Sequence, residues 1–234
     1  MGGDIGGAAE LMTLEAPPGI ALYALRYALD VELSDASLSA LSSAERKRAS
    51  GFARLQDRVR FVETRFALRT LLGERLGCAP QDVPITFGAH EKPELAAPRR
   101  FHFNLAHSHE RGLIAIAEVP VGVDVEWINL ATVWPPLAER VLHPEERAVL
   151  ESLANPADAA RGFFTHWARK EAVLKALGTG FYTESRSFSV PPGTATIAAP
   201  ASGGVPGPPA DLHVWSVDVD PDYAAAVATM EFFG

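Results

Sequence analysis

The chain has 234 residues, 47% of them hydrophobic and 21% charged, which suffices for one large domain or two small ones and excludes a wholly disordered chain. Its single cysteine, Cys78, excludes an internal disulfide and cysteine-rich zinc or iron–sulfur sites. A net charge of −8 argues against a nucleic-acid partner; with no basic-apolar leader and no run near the ~18 apolar residues of a membrane span, a soluble cytoplasmic protein without a membrane partner is expected.

Residues 20–29 (Ile-Ala-Leu-Tyr-Ala-Leu-Arg-Tyr-Ala-Leu) read as a first strand. Ser42 or Ser43 caps a charged helical stretch ending near Phe52. A longer helix is predicted from about Asp57 to Leu76, because Phe61, Phe66, Leu68, Leu71, Leu72 and Leu76 recur at helical spacing and Gly77 stops it. Residues 40–75 carry nine basic side chains against four acids, a surplus of +5 that leaves −13 elsewhere. That split points to a local anion site on an acidic body.

Val83–Phe87 is a short strand, and from about 100 to 127 the pattern turns to β: Phe101 and Phe103 flank His102, Gly112–Ala117 reads as buried, and Val121–Trp127 alternates. Helices resume at Pro135–Arg140, Pro144–Leu153 and Ala159–Leu177, the last ending at Gly178. Strands return at Ser187–Val190, Leu212–Val219 and Tyr223–Met230. Residues 191–210, with six Pro and four Gly, read as a flexible loop. The order implies an α/β (α+β) fold of two halves, residues 1–130 and 131–234, each a long helix on a small sheet. No clear sequence repeat relates them.

In Val121-Gly-Val-Asp124-Val-Glu126-Trp127, strand alternation puts Asp124 and Glu126 on one face, and the three valines with Trp127 on the other. Two carboxylates roughly 6–7 Å apart repel unless a cation or base sits between them, and hard oxygens suit Mg²⁺. The same pattern also fits the solvated outer face of an edge strand. On the helix around 159–177, Trp167, Glu171 and Lys175 form one stripe. They are either a surface Glu–Lys pair or, on a helix apolar on most sides, buried charges that need partners. Phe103-Asn104-Leu105-Ala106-His107-Ser108-His109 brings histidines close together, but a strand-to-loop setting without cysteine gives no clear zinc geometry. A single histidine donating to an anionic ligand fits better. No Gly-Lys-Ser/Thr phosphate loop, Gly-x-Gly-x-x-Gly or nucleophile elbow occurs.

In combination and order, Lys92-Pro93, Phe103–Ser108, Gly122-Val-Asp124-Val-Glu126 and Trp167-Ala-Arg-Lys170-Glu171-Ala-Val-Leu-Lys175-Ala-Leu-Gly178 resemble the Sfp-type 4'-phosphopantetheinyl transferases. The likeness extends to Glu45…Arg48…Phe52…Asp57 and Arg140-Val-Leu-His-Pro-Glu-Glu146. It implies a pseudo-twofold monomer with coenzyme A between its halves. The implied reaction is transfer of 4'-phosphopantetheine to a serine of an acyl or peptidyl carrier protein, with release of adenosine 3',5'-bisphosphate. By position, Asp124, Glu126 and Glu171 match the Mg²⁺ ligands, with Glu171 also a proton acceptor. Lys175 matches the pyrophosphate contact, and Arg48, Lys92 and His107 match nucleotide and phosphate contacts. Glu146 is a further participant.

Two positions depart from that family: Ala106 stands where Ser is usual before the motif histidine, and Glu91 stands where Gly precedes Lys-Pro. A non-catalytic coenzyme A or carrier-binding paralogue and a Mg²⁺-dependent nucleotide pyrophosphate hydrolase are the alternatives; the intact acids and Lys175 argue against the first. Asp124 is expected to lie outside the core, so that its replacement by Ala abolishes turnover with little loss of fold.

Overall fold

A computed structural model describes residues 2–4, 7–88, 92–97, 100–178, 184–200 and 210–232. Strands β1 (Gly2–Asp4), β2 (Ala9–Leu14) and β3 (Ile20–Tyr27) precede helices α1 (Asp35–Ser39), α2 (Ser43–Ser50) and α3 (Leu55–Leu76). Strands β4 (Ile85–Phe87), β5 (Pro93–Leu95), β6 (His102–Ser108), β7 (Arg111–Ala117) and β8 (Val121–Trp127) follow. Helices α4 (Pro135–Val141), α5 (Pro144–Glu151) and α6 (Pro156–Leu177) then lead to β9 (Ala195–Ala198), β10 (Ala210–Ser216) and β11 (Tyr223–Phe232). The described pairings are antiparallel, which makes the fold α+β. Among the described residues no helix is long and apolar enough to cross a membrane.

One sheet has the order β1-β2-β3-β7-β6, a second β8-β11-β10-β9, and β4-β5 form a separate hairpin. Strand alternation gives each sheet two apolar faces. On the first, Leu25, Phe103, Ile114 and Ile116 meet Ala67, Leu68, Leu71 and Leu72 of α3. On the second, Leu212, Val214, Ala226 and Ala228 meet Ala172, Val173 and Ala176 of α6. The remaining faces pack on each other, Leu22, Leu113 and Ala115 with Val123, Val125 and Val227. The stack is therefore helix, sheet, sheet, helix. Both long helices stop on a left-handed glycine, Gly77 and Gly178, each at φ 70°, where a Cβ would be strained.

Several expectations need correction. Val121–Trp127, grouped with residues 1–130 on chain order, pairs along its length with Tyr223–Thr229 in the second sheet. Strand β2 is not expected from its sequence; Ala-Glu-Leu-Met-Thr-Leu is rich in helix formers, and pairing with β3 overrides that preference. Ser187–Val190 is not a strand. A 3-10 turn covers Ser185–Ser187, and side chains of α5 and α6 take backbone groups at 185, 188 and 190 that a ladder would need. Strand β9 lies inside the expected loop of 191–210, whose residues 201–209 lie outside the described residues.

Candidate active site

Gly122 brings α6 close to β8. A Cβ there would stand 2.1 Å from the Ala172 carbonyl oxygen and 2.4 Å from the Ala176 nitrogen, so any other residue would push the helix away. At this approach Lys175 reaches Asp124, Nζ to Oδ1, at 2.6 Å. Asp124 is only 4% exposed, and its Oδ2 is buried without a hydrogen-bond partner. Burial pushes its carboxyl up to about 7, with Glu126 and Glu171 raising it and Lys175 opposing them. Burial likewise raises Glu126 and Glu171, each countered by Lys175. Three carboxylates thus share one poorly solvated field around one ammonium.

Strand β6 lines the site from the other sheet. Ser108 Oγ donates to Glu126 Oε2 at 3.1 Å. His107, on the opposite side of β6, is held below its usual value by surrounding protein first, then by the charges of Arg60 and Lys175. Both effects favour the neutral imidazole. Arg60 donates from Nε to the His109 carbonyl at 2.6 Å and pairs with Asp57 at 2.8 Å. His109 is held at φ 51° and stacks on Trp127 with centroids 4.7 Å apart.

The structure brings together Asp124, Glu126, Glu171 and Lys175, with His107 within electrostatic reach. Lys92, between β4 and β5, donates to the main-chain carbonyl of Lys175. Arg48 sits elsewhere, on a cavity of about 420 Å³ shared with Phe61, Arg65, Arg69 and Phe87. Glu146 is not in the cluster. It is 3% exposed and pairs with Lys170 at 2.9 Å; burial alone would raise it, but His166, Lys170 and the Val190 N–H together hold it down to about 2. Lys170, adjacent to Glu171 in sequence, therefore points into this separate pair.

Two further expectations change. Trp127 is 38% exposed instead of filling the core face. Asp124 is buried and ion-paired, so Asn is a cleaner replacement than Ala. Ala106 packs with Leu113, Val123 and Val125 in the seam between sheets, on the face of β6 away from His107. Glu91 lies outside the described residues. Sequence reasoning misses Arg60 and Ser108 as individuals. Arg60 is one of nine basic groups, with Asp57 one helical turn before it as its only local signal, and Ser108 reads as part of a motif without a task.

The donor set suits a small, hard divalent cation. Its groups are carboxylate oxygens, one of them buried and unpartnered, and their mutual repulsion would be relieved by positive charge. In the present arrangement Lys175 supplies that charge, and among the described residues no three His, Cys, Asp or Glu side chains are gathered into a finished coordination sphere. A cation would draw on Asp124, Glu126 and Glu171.

Comparisons with known proteins identify relatives of the chain. Residues 120–228 match the model of the 4'-phosphopantetheinyl transferase superfamily, a span that includes the acidic strand and α6. The slr0495 protein of Synechocystis sp., provisionally named a 4'-phosphopantetheinyl transferase, is 41% identical over 143 residues, 60% of this chain and 58% of that protein. The 4'-phosphopantetheinyl transferase HetI of Nostoc sp. is 36% identical over 144 residues, 60% of each chain. A 4'-phosphopantetheinyl transferase of Bacillus subtilis is 30% identical over 159 residues, 67% of this chain and 68% of its own length. The chain thus spans about three fifths of the first two relatives and two thirds of the third. It belongs to the Sfp-type 4'-phosphopantetheinyl transferase family.

Proposed function

We propose that the chain is a Mg²⁺-dependent transferase. It moves 4'-phosphopantetheine from coenzyme A to a serine hydroxyl of an acyl or peptidyl carrier protein and releases adenosine 3',5'-bisphosphate. The observation that carries this reading is the junction of β8 and α6, where Asp124, Glu126 and Glu171 surround the Lys175 ammonium. A bond forms between the serine oxygen and the phosphorus bearing pantetheine, and the phosphoanhydride bond to the nucleotide breaks.

Phosphoryl transfer asks the protein for positioning and charge stabilisation more than for covalent chemistry. A magnesium ion held by Asp124, Glu126 and Glu171 would neutralise charge on the pyrophosphate. Glu171, whose carboxyl burial makes more basic than usual, accepts the serine proton directly or through water. Lys175, one helical turn on, faces the charge that develops on the leaving phosphate. His107 donates a hydrogen bond as a neutral imidazole, while Arg60, Lys92 and Arg48 supply positive charge along the nucleotide. The enzyme acts as a cytoplasmic monomer, with coenzyme A in the seam between the half built on the first sheet and the half built on the second.

The test is incubation with coenzyme A, Mg²⁺ and a panel of apo carrier proteins, followed by intact mass measurement. Gain of one phosphopantetheine group on the carrier serine supports the proposal. Coenzyme A binding without mass gain on any carrier contradicts it.

A further inference from the structure

Strand β6 is the last strand of the first sheet and β8 the last of the second. The two lie side by side, yet they are not neighbours in any described ladder. Sheet edges brought together this way leave main-chain groups that need partners. Two side chains of β6 supply them. Asn104 Oδ1 accepts the Val123 N–H at 2.9 Å in a buried setting, and Ser108 Oγ accepts the Trp127 N–H at 3.1 Å.

The two holders are four residues apart on β6 and the two held amides four apart on β8, so the two contacts match at the common rise of ~3.3 Å per residue. Asp124 and Glu126 lie between the two held amides. On β6, Ala106 lies between the two holders on the same face, and its small buried side chain lets the strands approach. Ser108 has a second task, because its own proton goes to Glu126 Oε2 at 3.1 Å. One hydroxyl therefore fixes both the main chain after Glu126 and the Glu126 carboxylate.

We infer that Asn104 and Ser108 form a side-chain clasp setting the register of the acidic strand, and that Ser108 is a positioning residue presenting Glu126 as a cation ligand. The clasp stands on the contacts alone; its service to a cation rests on the function proposed above. Outer partners of metal ligands commonly change metal affinity by about 10- to 100-fold when removed.

The test uses the full chain and its Ser108→Ala, Ser108→Thr and Asn104→Ala variants. Mn²⁺ binding is followed by electron paramagnetic resonance with saturating coenzyme A, and amide exchange at Val123 and Trp127 by NMR. Ser108→Ala is expected to weaken Mn²⁺ binding about 10-fold and to speed exchange at Trp127 but not at Val123. Ser108→Thr, which keeps the hydroxyl, restores both. Asn104→Ala speeds exchange at Val123. Unchanged Mn²⁺ affinity in Ser108→Ala overturns the positioning role, and unchanged exchange at both amides overturns the clasp. A wild-type chain that neither binds Mn²⁺ with coenzyme A nor modifies a carrier overturns the proposed function instead, and the exchange measurements still decide the clasp.

Discussion

The two long helices are related by a constant sequence shift of 101 residues, Leu55–Leu76 to Pro156–Leu177 and Gly77 to Gly178. The same shift relates two buried ion pairs. Glu45, in the capping box of α2, pairs with Arg69 at 2.6 Å, with Arg65 at 3.9 Å. Glu146, in the capping box of α5, pairs with Lys170 at 2.9 Å, with His166 at 3.6 Å. Each long-helix cation also donates to carbonyls of the segment that follows: Arg69 to Pro80 and Val83, Lys170 to Ser185 and Phe188. The halves thus share one device that ties a short helix, a long helix and the returning chain together.

They part at the acidic cluster. Where α6 carries Glu171 and Lys175, α3 carries Thr70 and Glu74, and where β8 carries Asp124, β3 carries Tyr23. Scaffold and site therefore lie side by side within a single motif: Lys170 repeats and is architectural, whereas its neighbour Glu171 does not repeat and faces the acidic cluster.

The largest effect should come from breaking what does not repeat. Asp124→Asn is expected to lower carrier modification by about 10³-fold, comparable to loss of a central charge-stabilising group, while the melting temperature at pH 8 stays near wild type. A variant retaining wild-type rates would remove Asp124 from the cation site. Breaking what does repeat should act on stability instead. Glu146→Ala leaves Lys170 buried without its carboxylate and should cost about 3–5 kcal/mol in denaturant unfolding. Glu45→Ala should cost less, because Arg69 keeps three carbonyl acceptors. The double variant Glu146→Leu/Lys170→Met should recover most of the loss, since removing both charges leaves neither stranded.

A smaller effect follows pH. Asp124 titrates near 7 when folded against an ordinary 3.8, so the folded chain holds that proton more tightly than the unfolded one. Its contribution to stability is complete below about pH 4 and is lost as pH rises through about 7. Cation binding with coenzyme A should run the opposite way, strengthening from pH 6 to pH 8 and releasing protons below pH 7. Calorimetry in two buffers of different ionisation enthalpy measures that release; none at pH 6.5 would contradict the assignment. Smallest of all, Thr70→Glu/Glu74→Lys should leave transfer unchanged, because β3 offers no carboxylate to complete a second site.

Much of this is legible in the amino-acid sequence itself. The 3.6-residue periodicity and terminal glycines locate both long helices, and the order of Asp-x-Glu and Lys-Glu-x-x-x-Lys locates the acidic cluster. Other features depend on contacts between distant segments. The capping-box glutamates can be seen as helix starts, but their pairing with Arg69 and Lys170 requires the helices to be packed. Strand alternation places Asp124 and Glu126 together, yet it cannot say that β6 and Lys175 close over them and bury Asp124. The 101-residue relation is hidden because the two halves keep the same roles, carboxylate against cation, with different residues.

The central claim is that the site unique to the second half moves phosphopantetheine onto a carrier serine. It is tested most directly by measuring, in one reaction with coenzyme A and Mg²⁺, both carrier mass and released adenosine 3',5'-bisphosphate. One bisphosphate is expected for each carrier modified by the wild-type chain, and neither product from Asp124→Asn. Bisphosphate released without carrier modification would contradict it.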